Sequence, residues 1–202
     1  MFVQVIKGHV SDAAAMRAQM EKWVAELAPG SAGWLGSTAG VTEDGTFIAL
    51  ARFESEDAAQ QNSDRPEQGA WWEETAKLFD GEPEFHDSTH ADVYTPGDPG
   101  RAGFVQVMQG RTSDPGRARE LMNDDSIDFE SFRPDMIGSV TVQHDGDAWT
   151  MALYFTSEEE AREGERKESP PEMKAMEEEL EAISLGEPTY LDLKDPWMHS
   201  PS

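Results

Sequence analysis

The chain has 202 residues, of which 41 are acidic and 16 basic, for a formal net charge of -25, and it contains no cysteine. That charge argues against a basic patch for nucleic acid or an anionic membrane, and the lack of cysteine excludes disulfides, thiolate catalysis and Cys-ligated metals. No apolar run approaches the length of a membrane span, and no leader pattern precedes the first strand-like segment, so a soluble cytoplasmic protein is the expectation.

In chain order, residues 2 to 7 alternate with β-branched and aromatic side chains and read as a strand. Ser11 or Asp12 caps a helix running to about Leu27, whose Met16, Met20, Trp23, Val24 and Leu27 form one apolar stripe. Pro29-Gly30 ends it. Trp34 to Val41 and Thr46 to Glu54 read as two strands joined around Glu43-Asp44-Gly45. Ser55 caps a short helix to about Asn62, Asp64-Arg65-Pro66 restarts it, and Gly81 closes it. Pro83 to Tyr94 is the fourth strand.

This βαββαβ order then repeats. Phe2-Val3-Gln4-Val5, Gly8 and Ser11-Asp12 return as Phe104-Val105-Gln106-Val107, Gly110 and Ser113-Asp114, always 102 residues later. Gly36-Ser37 returns as Gly138-Ser139, and Phe53, Ser55, Glu56 and Ala59 return as Phe155, Ser157, Glu158 and Ala161. A capping box from Ser157 to Glu160 starts the second helix region of the repeat. From Pro66 and Pro171 onward the offset is 105, so three residues were added in between. The expected organisation is a first unit over 1–95, a linker over 96–102, a second unit over 103–195 and a tail over 196–202. Trp197 and Met198 in that tail, beyond the last strand of the second copy, are expected to dock on the other half. The many glutamates between Glu158 and Glu181 read as a solvated helix face.

Copy one, with Pro-Gly before a Trp-Leu-Gly strand and with Phe47-Ile48-Ala49-Leu50-Ala51-Arg52-Phe53-Glu54-Ser55, resembles the antibiotic biosynthesis monooxygenase group of dimeric α/β-barrel proteins. The resemblance implies an α+β fold in which two tandem ferredoxin-like units pack sheet to sheet as an intramolecular dimeric α/β-barrel. It further implies a pseudo-dimer within one chain, leaving further self-association open, and cofactor-free oxygenation of aromatic, polyketide-type compounds. Haem-degrading relatives combine an Asn on strand one with a Trp and a His on helix two. This chain departs from that pattern, with Gln4 and Ile6 on strand one and Trp71 and Trp72 but no histidine on helix two.

Candidate site residues come from positions where the copies disagree. Gln68 stands opposite Met173, Trp71 opposite Met176 and Thr75 opposite Leu180, while His86 and Ser88 on strand four stand opposite Leu191 and Leu193. Polar groups on an otherwise apolar stripe predict a ligand pocket in copy one and a filled, structural copy two. The alternative is that these groups satisfy one another or point outward. His86 is the candidate base, since imidazole titrates near neutrality. Trp72 is a candidate pocket wall, lid or interface anchor, with Trp71 assigned to the core. Asn62 and Arg65 at the helix break, and Arg52 on strand three, are candidates to orient a polar substituent. No metal site is expected, because His86 and His90 lie roughly 13 Å apart along a strand.

Phosphate loops, dinucleotide fingerprints, nucleophile elbows and HExxH are all missing from the sequence. The expectation is a cofactor-independent monooxygenase acting on a small aromatic or quinol-like compound. The alternatives are a non-catalytic small-molecule or partner-binding protein of the same fold, or an assembly protein whose acidic surface meets a basic partner.

Overall fold

The computed structural model describes residues 1–124 and 126–201. The chain divides into two compact units, unit 1 comprising Met1–Ala91 with Asp195–Ser202, and unit 2 comprising Asp92–Lys194. Each has the expected ferredoxin-like βαββαβ order.

Unit 1 runs β1 (Phe2–His9), α1 (Ala13–Glu26), β2 (Trp34–Val41), β3 (Thr46–Phe53), α2 (Glu56–Ser63), α3 (Pro66–Ala76) and β4 (Glu84–Ser88). The local chemistry explains the boundaries. The Asp12 carboxylate accepts from the Ala15 amide at 2.9 Å and the Ser55 hydroxyl from the Ala58 amide at 3.1 Å, satisfying orphan donors at two helix starts. Pro66 opens α3, where its missing N–H costs nothing. The β2–β3 hairpin turns at Gly45, whose φ of 87° suits a residue without Cβ.

The chain passes into unit 2 within β5 (His90–Tyr94), at the edge of that unit's sheet, and continues through β6 (Phe104–Arg111), α4 (Pro115–Met122), α5 (Phe129–Phe132), β7 (Met136–His144), β8 (Ala148–Phe155), α6 (Glu158–Glu165), α7 (Pro171–Ile183) and β9 (Thr189–Leu193). Its first helix is the shorter pair α4 and α5. Asp124 and Asp128 there accept from the Ser126 and Ser131 amides, local bonds that compete with a continuous helix.

The repeat extends to strand register. Phe2 faces Phe53 and Gln4 faces Asp87 in unit 1, as Phe104 faces Phe155 and Gln106 faces Asp192 in unit 2. Both second strands shift register at the same point, between Trp34 and Gly36 and between Met136 and Gly138.

One feature differs from expectation, and the tail's docking on unit 1 agrees with it. The single strand expected over 83–94 is β4 and β5, each in a different sheet, with the His90 amide donating to the Ser88 hydroxyl at 2.9 Å where the chain breaks. The tail folds back as β10 (Trp197–His199) beside β2, giving the sheet orders β10-β2-β3-β1-β4 and β5-β7-β8-β6-β9. Trp197 is buried in a unit 1 cluster with Met16, Phe47 and Phe79. A second unit 1 cluster gathers Phe2, Trp23, Trp34 and Phe53. No helix among the described residues is long and apolar enough to cross a membrane.

Candidate functional site

A cavity of about 150 Å³ lies in unit 1 between the helices and the sheet. Its floor is one face of the sheet: Phe2, Gln4 and Ile6 from β1, Ala49 and Ala51 from β3, and Ser37 and Ala39 from β2. Period-two alternation along each strand places these side chains together. Trp23 and Met20 of α1 and Trp71 of α3 cover it, and Gln60, Asn62 and Ser63 reach it from α2. The two edge strands contribute Asp87 from β4 and His199 from β10.

The duplication explains why space remains here. Ala49 and Ala51 correspond to Met151 and Leu153 in unit 2, and Leu153 packs against Phe104, Phe155 and Ala161. Gln60 corresponds to Arg162, whose guanidinium lies 5.1 Å from the centroid of Phe104, the counterpart of Phe2. Two alanines and a glutamine in unit 1 thus stand where methionine, leucine and arginine stand in unit 2.

The cavity's polar groups are few and held in place. The Trp23 indole donates to Gln68 Oε1 at 2.6 Å, and the Trp71 indole donates to the Gln19 carbonyl at 3.0 Å. Asn62 is buried, its Oδ1 accepting from Arg65 Nη1 at 3.0 Å, and the same nitrogen donates to the Leu27 carbonyl. Gln4 Nε2 donates to Asp87 Oδ1 at 2.8 Å. Burial holds the His199 pKa below the usual imidazole value, Glu21 pulling it up and Arg17 pushing it further down. A neutral ring at the cavity wall is therefore the stable form near pH 7.

Of the residues singled out from sequence, Gln68 and Asn62 line this cavity together. Arg65 stands behind Asn62 and binds Glu67 as well. Thr75 is fully buried, its hydroxyl donating to the Trp71 carbonyl at 2.9 Å within the helix. Trp71 lines the cavity, whereas Trp72 packs on Phe79 and Phe85 with centroids 6.2 and 5.2 Å away.

His86 and Ser88 occupy the other face of β4. They pair in register with Val5 and Val3, which point away from the helices, while Asp87 between them faces the cavity. Arg52 pairs with Val3 and shares that face, its buried Nε finding no hydrogen-bond partner among the described residues. The strand phase thus differs by one residue from the sequence reading, which placed His86 and Ser88 on the helix side.

The whole chain matches solved structures of similar length. A candidate monooxygenase from Lactobacillus acidophilus NCFM aligns over 98% of both chains at 13% identity and a TM-score of 0.73. A second, from Fusobacterium nucleatum subsp. nucleatum ATCC 25586, covers 100% of this chain and 94% of its own at 11% identity and 0.74. An anthrone oxidase-like protein covers 100% and 92% at 12% identity and 0.67. The fold is shared with these monooxygenase-like and anthrone oxidase-like structures. No protein-family model matches the sequence, and no curated protein matches it.

Within this monooxygenase-like fold, sequence reasoning missed Gln4, Asp87, Gln60, Trp23, Trp34, His199 and the two floor alanines. The copies do signal some of them, since Ala49, Ala51 and Gln60 differ from Met151, Leu153 and Arg162 at a constant offset of 102. His199 carries no such signal, because the tail has no counterpart in copy one.

Proposed function

We propose that unit 1 is the working half of a cofactor-independent monooxygenase that binds a small aromatic, phenolic or quinol-like compound. The supporting observation is a cavity with aromatic walls and a few fixed polar groups, the ordinary composition of a small-molecule site. Phe2, Trp23, Trp34 and Trp71 offer ring faces and edges for an aromatic ligand, and Gln4, Gln68 and Asn62 offer amides for hydroxyl or carbonyl substituents.

His199 takes the role of base. Its neutral ring accepts a proton from a phenol or from a ring carbon carrying two hydrogens in the keto tautomer. The resulting electron-rich anion combines with dioxygen, and the hydroperoxide loses water to leave a carbonyl. One oxygen atom enters the product and the other departs as water with the two hydrogens of that carbon, so electrons balance without an added reductant. The apolar wall limits water around the anion.

Oxygen uptake with a panel of hydroquinones and anthrones tests the proposal. The expected result is uptake by the wild type, reduced at least tenfold in His199→Asn. Stabilisation by panel compounds without uptake would assign the cavity to binding alone.

A further inference from the structure

Unit 2 contains its own record of what one end of this cavity accepts. Arg162 donates to the carboxylates of Asp192 and Glu165, approaches Glu158 at 3.5 Å and rests over the Phe104 ring. Gln106 Nε2 donates to Asp192 at 3.0 Å and contacts Glu165 at 3.5 Å, completing a guanidinium cradle. In unit 1 the corresponding residues are Asp87, Ser63, Glu56, Phe2 and Gln4, and all of them line the cavity. The residue corresponding to Arg162 is Gln60, and its amide is tied to Asp64 at 2.8 Å, at the end of α2. Two of three carboxylates, the aromatic face and the positioning glutamine remain. The arginine does not.

We infer that the Asp87 end of the unit 1 cavity is a subsite for a cationic nitrogen, an ammonium or amidinium carried on the aromatic ligand. The inference rests on the functional reading above and narrows its substrate class to phenolic or quinol-like compounds that carry an alkylammonium or amidinium group. A cation between Asp87 and Glu56 would lie where the guanidinium of Arg162 lies in the other copy. Charge-assisted hydrogen bonds to the carboxylates and attraction by the Phe2 ring are the same two interactions that hold Arg162. Gln4 holds Asp87 through Oδ1, leaving Oδ2 for the ligand. The chain's net charge of -25 also draws cations toward it.

Benzamidine and benzamide differ little in shape but differ in charge, and tryptophan fluorescence reports on both because Trp23, Trp34 and Trp71 line the cavity. Benzamidine is expected to bind the full chain at least tenfold more tightly than benzamide. The preference should disappear in Asp87→Asn and weaken in Glu56→Gln, and Gln60→Arg should exclude benzamidine by restoring the arginine. Equal binding of the two compounds to the wild type overturns the cation subsite and leaves the aromatic cavity intact. A preference that survives Asp87→Asn and Glu56→Gln unchanged also overturns it. Saturable binding of neither compound, nor of a neutral phenol, overturns the cavity reading as well.

Discussion

The Trp23 indole donates to Gln68 Oε1 over 2.6 Å and joins α1 to α3 across the cover of the cavity. Unit 2 has Met173 at the position of Gln68, so the polar side chain answers a donor rather than interrupting an apolar stripe. Gln68→Met leaves that indole N–H without its acceptor. The expected cost is about 1–3 kcal/mol of stability, read as a lower urea midpoint at unchanged slope.

Trp197 closes the unit 1 core from the tail. It pairs with Ala39 on β2 and packs near Phe47, their ring centroids 6.3 Å apart. Trp197→Ala should destabilise the protein by about 3–5 kcal/mol, as for other large buried side chains. Denaturant unfolding monitored by far-UV circular dichroism measures it. An effect within a few tenths of a kcal/mol would show that the tail is dispensable.

Acid should act through His199. Its folded-state pKa is depressed, so the unfolded chain takes up the proton first. Stability is unaffected well above the ordinary value of 6.5 and falls as pH drops from there through the folded pKa. The proposed base also becomes protonated over the lower part of that range, so oxidation should decline on the acid side. In His199→Asn both acid limbs should flatten, measured by unfolding and oxygen uptake between pH 5 and 8.

His9 runs in the opposite direction. Its Nδ1 binds Asp80 at 3.0 Å and its Nε2 the Asp44 carbonyl at 2.9 Å, and the Asp80 bond is the first cause of its raised pKa. Whatever stability the protonated ring adds is complete below 6.5 and is lost as pH rises through the folded pKa. An NMR titration should show a His9 midpoint above 6.5, returning toward that value in Asp80→Asn.

The duplication, the βαββαβ order and the capped helix starts were legible because each rests on local chemistry repeated at a fixed offset. The face of β4 was not. Leu191 and Leu193 are apolar in copy two, which suggested that this face meets the helices. In fact they pair with Val107 and Val105, on the side away from the helices. Phe104 and Val105 are adjacent and both fully buried, so apolar character along a central strand cannot say which side carries the helices. Trp71 and Trp72 are adjacent on α3 and both partly buried, so the helical stripe did not say which of them reaches the cavity. The place of His199 at the cavity was hidden because a three-residue strand after a turn has no period to read.

Filling the cavity tests the central claim most directly. Ala51→Leu installs the residue that unit 2 carries at the same point, Leu153, over a floor that has room for it. Hydroquinone titration followed by tryptophan fluorescence should give saturable quenching in the wild type and none in Ala51→Leu, with the variant's unfolding midpoint essentially unchanged. Equal affinity in the two proteins would contradict the placement of the ligand in the unit 1 cavity.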